Sequence, residues 1–133
     1  MRVLLISVIF ALSFSGLARA QGTEIQGVIG NQIEAFKADD FAQAFSYASP
    51  NIQGIFKSPE NFGKMVRNGY PMVWRPDGVE YLDLREVAGL LVQRVRIRDA
   101  RGVDHLLDYQ MVKLGNDWKI NGVFAVKAPD VGA

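Results

Sequence analysis

The last third of the chain, residues 90–126, constrains the fold more than any other part. Three runs of strand-favouring residues follow one another there: Leu90–Arg98, Val103–Leu114 and Trp118–Val126. The short segments between them, residues 99–102 and 115–117, contain the Gly, Asp and Asn that are typical of turns. Strands joined by tight turns pair antiparallel. With a further strand over residues 79–86, the sequence predicts an antiparallel sheet of about four strands.

The lengths of the two turns predict how the strands pair. A three-residue loop places Leu114 opposite Trp118. A four-residue loop places Arg98 opposite Val103. The other pairs follow by counting along the strands: Val112 with Ile120, Gln110 with Gly122, Asp108 with Phe124, Val95 with Leu106, Gln93 with Asp108, and Leu91 with Gln110. A one-residue change in either loop would exchange the faces of the sheet.

In this register one face of the sheet is almost entirely apolar, and we expect the helices to cover it. Its apolar members are Leu91, Val95, Leu106, Val112, Leu114, Trp118, Ile120, Phe124 and Val126. A small polar cluster of Gln93, Asp108 and Gln110 interrupts this face. The pattern predicts a curved sheet wrapped on helices, with a cone-shaped pocket at the polar cluster.

Three helices are predicted before the sheet, over residues 24–37, 39–48 and 58–69. The third has clear boundaries, because Ser58 can cap it, Pro59 suits a first helical position and Gly69 suits its end. Ser49-Pro50 is predicted to end the second helix. Residues 70–78 are predicted to form a loop. The fold class is therefore α+β.

The first twenty residues have the pattern of a signal peptide. Arg2 provides a positive start, residues 3–14 are mostly apolar, and Ala18-Arg19-Ala20 matches a cleavage site. We expect cleavage after Ala20, leaving residues 21–133 as a single α+β domain in the periplasm or outside the cell. The apolar run is shorter than the roughly 20 residues that a spanning helix needs. We therefore expect no membrane span in the mature protein.

Composition excludes several classes of function. Removing Arg2 and Arg19 changes the formal charge from +1 to −1, so bulk charge does not favour nucleic-acid binding. With no cysteine and a single histidine, His105, the chain is not expected to hold a metal. No phosphate-binding loop or hydrolase motif is present, so no cofactor is expected.

Two resemblances follow from short motifs. Trp118-Lys119-Ile120-Asn121-Gly122-Val123 is similar to the final-strand signature of the nuclear-transport-factor-2-like (cystatin-like) superfamily of α+β rolls. Residues 24–127 also resemble an exported bacterial family catalogued as a domain of unknown function. The matching stretches are Ser49-Pro50, Phe56-Lys57-Ser58-Pro59-Glu60 with Phe62, and Gly69-Tyr70-Pro71. The resemblances imply a fold and a compartment, and no catalytic residues.

Asp108 is the candidate catalytic residue. A carboxylate inside an apolar cone would act as a general base or as a ligand anchor, with Gln93 and Gln110 orienting the partner. In the alternative interpretation, Asp108 is only satisfied by hydrogen bonds within the protein. Tyr70 and Trp74 are further ligand-binding candidates at the rim of the pocket, or else they plug its open end.

The other face of the sheet is predicted to be exposed and to mix charged with apolar side chains. Arg94, Arg96 and Arg98 alternate along it and would either bind an anionic polymer or pair with acidic neighbours. The interface candidates on this face are Val92, Leu107, Tyr109 and Met111, which would support a homodimer. Alternatively, the tail 127–133 or strand curvature covers them.

Three functional hypotheses follow. The leading one is a non-enzymatic module that binds a small apolar ligand or a protein partner. The second is a cofactor-free isomerase or lyase with Asp108 as its base. The third is a structural protein that dimerises through the outer face of the sheet.

Overall fold

The computed structural model describes residues 7–127, with side chains from residue 18 onward. The helices α1 to α5 of this part span Ser7–Lys37, Phe41–Ser46, Pro50–Phe56, Pro59–Gly69 and Pro71–Trp74. The strands β1 to β4 span Val79–Val87, Leu90–Arg98, Asp104–Leu114 and Asp117–Ala125. They pair antiparallel in the order β1-β2-β3-β4. The predicted α+β class and the four-stranded antiparallel sheet are confirmed.

Helix α1 begins before the residue predicted for it. It is continuous from Ser7 to Lys37 and therefore runs through the predicted cleavage site at Ala20. Residues 1–6 of the predicted signal peptide and residues 128–133 of the tail lie outside the described residues. Within residues 7–127, none of the helices is long and apolar enough to cross a membrane.

Prolines begin three of the helices, since the missing N–H of proline is not needed in the first turn. Pro50, Pro59 and Pro71 hold this position in α3, α4 and α5. The Ser58 hydroxyl caps α4 as predicted, and the Ser49 hydroxyl caps α3 in the same way. The second helix is predicted to continue to Ala48 and to end at Ser49-Pro50, but α2 ends at Ser46, and Ser49-Pro50 begins α3. Residues 70–78 are predicted to form a loop, but they contain α5.

The hairpin between β2 and β3 is one residue longer than predicted. Arg98 pairs with Asp104, so the loop comprises residues 99–103. The Asp99 carboxylate shapes the loop by accepting hydrogen bonds from the N–H groups of Arg101 and Val103, at 2.9 and 3.0 Å. The extra residue shifts β3 by one position against β2. Every predicted pair between these two strands is therefore wrong.

The hairpin between β3 and β4 is one residue shorter than predicted. Leu114 pairs with Asp117 around a two-residue turn, in which Gly115 has a φ of 63°. A bulge at Asn121 then restores the predicted register. Two predicted pairs beyond it are confirmed, Gln110 with Gly122 and Asp108 with Phe124.

These shifts decide which side chains of β3 face the helices. Leu107, Tyr109 and Met111 point inward and are buried, whereas Asp108 and Gln110 lie on the outer face. Helix α1 packs against the inner face with one stripe of side chains. The stripe consists of Ile25, Ile29, Ile33 and Phe36. The predicted inner face is thus correct for β2 and wrong for β3.

Gly63 of α4 marks the closest packing between helices. A Cβ atom at this position would lie 2.7 Å from the Phe41 ring, which is closer than van der Waals contact allows. We expect Gly63→Ala to lower the free energy of unfolding by about 1–3 kcal/mol, because the ring must shift within a packed core. Urea denaturation monitored by circular dichroism measures this change.

Gly27→Ala of α1 is the matched control. A Cβ atom at Gly27 would meet nothing within 4 Å, so the gain in helix propensity should stabilise the protein by up to about 1 kcal/mol. Equal effects of the two substitutions would contradict the assignment of Gly63 as a close-packing site.

Candidate functional site

An apolar cleft of about 460 Å³ lies between helices α3 and α4 and strand β4. Nineteen residues line it, and none of them is Asp, Glu, Lys, Arg or His. The main apolar members are Ile52, Phe56, Met65, Val66, Ile120 and Val123. The few polar side chains on its walls are all uncharged. This cleft is the candidate functional site.

The local sequence explains why the cleft opens beside β4. The segment before α3 pairs with this strand at one position, where the Ser49 N–H donates to the Ile120 C=O at 2.8 Å and the Ile120 N–H donates to the Tyr47 C=O at 2.9 Å. Pro50 then begins α3 and turns the chain away. The edge of β4 beyond Ile120 is left beside the cleft.

The bulge at Asn121 builds the polar part of the wall. Its side-chain oxygen accepts a hydrogen bond from the Ser49 hydroxyl at 2.7 Å, and its amide nitrogen donates to the Gln110 Oε1 at 2.9 Å. The predicted ligand-binding candidate Gln110 therefore does line the cleft.

Two tyrosines contribute to the lining. The Tyr70 hydroxyl donates to the Val123 C=O at 3.3 Å, so this predicted candidate also lines the cleft. Tyr109 is 0% exposed, and its hydroxyl has no hydrogen-bond partner within the described residues. Burial raises the pKa of Tyr109 well above its ordinary value, which keeps the phenol protonated. Sequence reasoning missed Tyr109 as a lining residue because the register of β3 was wrong.

Gln93 and Trp74 do not line the cleft. The Gln93 amide nitrogen donates to the C=O groups of Leu82 and Asp83, at 2.9 and 3.3 Å, and so holds the irregular part of β1 against β2. The Trp74 indole N–H donates to the Asp39 carboxylate at 2.8 Å. Both side chains connect parts of the scaffold.

Asp108 lies on the outer face of the sheet, which corrects its predicted place in an apolar cone. Arg94 donates to its two oxygens at 3.0 and 3.1 Å, and Arg85 donates at 2.8 Å. The hydrogen bonds from Arg94 are the largest cause of the lowered pKa of Asp108. A lowered pKa makes a carboxylate a weaker base. The physical reason for the correction is the fifth residue of the β2–β3 loop.

Three of the four interface candidates are also misplaced by the predicted register. Leu107, Tyr109 and Met111 belong to the core, each at most 1% exposed, and are not available to a partner. Val92 does lie on the outer face, where it is 7% exposed. The row of arginines lies on the same face as predicted. Its ion pairs are Arg94 with Asp108, Arg96 with Glu80, and Arg98 with Asp104.

His105 pairs with the β2–β3 loop. Its Nε2 lies 2.8 Å from an oxygen of Asp99, and this contact is the largest cause of the lowered pKa of Asp99. Among the described residues, no group of three or more His, Cys, Asp or Glu side chains could hold a metal ion.

We expect Asp108→Asn to lower the free energy of unfolding by about 1–3 kcal/mol at pH 7, since it weakens charge-assisted bonds to two arginines. The pKa of Asp108 is lower in the folded state, so its contribution is complete above the ordinary aspartate pKa of about 3.9. The contribution is lost as the pH falls through the lowered folded-state pKa. Urea denaturation between pH 7 and pH 2 should show the two proteins converging in stability in acid.

Asp104→Asn is the matched control, because Asp104 forms one exposed ion pair with Arg98. Such a pair contributes little, so this variant should lie within about 1 kcal/mol of the parent at every pH. A loss at Asp108 no larger than that at Asp104 would contradict the structural role given to Asp108.

The comparisons with known proteins give a family. A search of curated proteins finds no match to the chain. The model of one family matches residues 18–133, which is most of the chain and includes every residue of the cleft. The chain belongs to the family described as "Domain of unknown function (DUF4864)".

Proposed function

We propose that this protein binds a small, uncharged and largely apolar ligand in the cleft between α3, α4 and β4. The observation that carries the proposal is the lining: nineteen residues, mostly apolar, with no charged side chain among them. The volume of about 460 Å³ falls within the range of roughly 300–1,000 Å³ that is typical of small-molecule sites. A concave site of this size suits a small molecule better than a protein surface.

Binding without turnover is the better supported form of this proposal. The cleft lining, as formed by the described residues, contains no carboxylate and no imidazole that could serve as a general base. Asp108, the candidate base, does not line the cleft and is ion-paired with Arg85 and Arg94 on the outer face of the sheet. The isomerase or lyase hypothesis therefore has no structural observation in its favour. Dimerisation through the outer face has equally little support, since most of its candidate residues are in the core.

Export to the periplasm or beyond the cell, with cleavage after Ala20, is part of the proposal. Its support is the way α1 packs. Residues 18–24 contain no buried side chain, and the buried stripe begins at Ile25. The Glu24 carboxylate accepts a hydrogen bond from the Trp118 indole N–H at 3.1 Å, and cleavage after Ala20 would retain it. Helices on the inner face of a bulged antiparallel sheet also support a roll of the nuclear-transport-factor-2-like type.

A neutral fluorescent probe tests the proposal directly. We expect N-phenyl-1-naphthylamine to bind the purified protein saturably with one site per chain. Ile55 is 60% exposed and lines the cleft, so Ile55→Asp should leave the fold intact and place a charge beside the bound probe. We expect a loss of affinity of about tenfold, which corresponds to about 1.4 kcal/mol. Fluorescence titration measures both affinities.

Val103→Asp is the matched control. Val103 is 52% exposed in the β2–β3 loop, away from the cleft, so the same change of side chain should leave probe affinity unchanged. Asp108→Asn should also bind the probe normally. Absence of saturable binding, or equal losses at Ile55 and Val103, would refute the proposed site.

A further inference from the structure

We infer that the ligand carries an uncharged hydrogen-bond acceptor, such as a ketone or ether oxygen, which accepts a hydrogen bond from the hydroxyl of Tyr109. This inference rests on the proposed function and narrows its ligand class. Two observations together support it: the Tyr109 hydroxyl is fully buried without a hydrogen-bond partner in residues 7–127, and Tyr109 lines an apolar cleft. Buried hydroxyl groups in proteins are nearly always hydrogen-bonded.

The neighbouring tyrosines show that Tyr109 is an exception within this core. The hydroxyl of Tyr70 donates to the C=O of Val123 at 3.3 Å. The hydroxyl of Tyr81 donates to the C=O of Gln26 at 3.2 Å. After burial, the electrostatic influence of Tyr81 and Tyr70 also raises the pKa of Tyr109. Only the tyrosine without a backbone acceptor is left to bond an atom from outside the described chain.

The surroundings of the Tyr109 hydroxyl restrict which ligand groups can accept its hydrogen bond. Burial favours the neutral phenol, so Tyr109 offers a hydrogen atom to a ligand oxygen. In the part of the chain that the structure describes, no lysine, arginine or histidine lines the cleft, so a carboxylate or phosphate would be buried there without a counter-charge. An uncharged oxygen on an otherwise apolar molecule satisfies both conditions. An internal water could also accept this bond, and the experiment separates the two sources.

Benzophenone and diphenylmethane form a suitable pair of probes, because they differ only in a C=O against a CH₂ group between two phenyl rings. Their affinities can be measured by displacement of N-phenyl-1-naphthylamine. We expect Tyr109→Phe to weaken benzophenone binding by about tenfold, the effect of one interior hydrogen bond, and to change diphenylmethane binding by less than about twofold. Tyr81→Phe is the control, since Tyr81 does not line the cleft, and it should change neither affinity.

Thermal unfolding without ligand gives a second, independent measurement. Tyr109→Phe removes a buried hydroxyl that has no partner among the described residues, so the Tm should stay equal or rise. Tyr81→Phe removes a bonded hydroxyl, so the Tm should fall. A fall for Tyr109→Phe as large as that for Tyr81→Phe would show that an internal water already bonds Tyr109, and would overturn the inference.

The outcomes of these experiments test the inferred hydrogen-bond acceptor separately from the proposed ligand site. If both probes bind and Tyr109→Phe affects them equally or not at all, the inference is wrong and the proposed ligand site stands. If N-phenyl-1-naphthylamine binds but neither benzophenone nor diphenylmethane displaces it, the inference is wrong and the proposed site stands. If N-phenyl-1-naphthylamine itself does not bind, the proposed site and the inference fall together.

Discussion

The register of β3 is the constraint on which the rest of the structure depends. Hydrogen bonds from two backbone N–H groups to Asp99 fix a five-residue loop at one end of the strand, and Gly115 permits a two-residue turn at the other. Together they direct Tyr109 and its inward neighbours toward α1 and Asp108 toward solvent. Because side chains alternate along a strand, a change of one residue in the first loop would place a carboxylate in the core.

Charge is distributed across the sheet in accordance with the cost of burying it. The outer face carries the arginines, each within reach of an acidic partner, and there the ions keep partial contact with water. The inner face and the cleft carry polar groups that are neutral, among them Gln110, Asn121 and Tyr109. An ion in an apolar site is stable only when it is paired, whereas a neutral group needs only a hydrogen bond. The same rule shapes the scaffold and selects what can occupy the cleft.

Much of the fold could be predicted from the sequence, because strands and helix caps depend on local residue types. The bounds of β2 are as predicted, and Ser58-Pro59 begins α4. The site could be predicted only in part. Gln110 and Tyr70 line the cleft, but Asp108, Gln93 and Trp74 do not. The errors come from features that no local pattern determines: a loop closed by Asp99, a bulge at Asn121, and a Ser49-Pro50 pair that begins a helix instead of ending one.

The single bridge between Ala48 and Ile120 has a consequence for how the cleft is entered. Helix α3 follows this bridge directly and contains no buried residue, whereas α4 on the other side of the cleft is anchored by Phe62 and Val66. Local opening requires least free energy where the fewest apolar contacts are broken. Displacement of α3 about Ser49 would therefore widen the entrance while the aromatic core beneath it stays closed. Helix α3 is therefore the movable wall of the cleft, and α4 is the fixed wall.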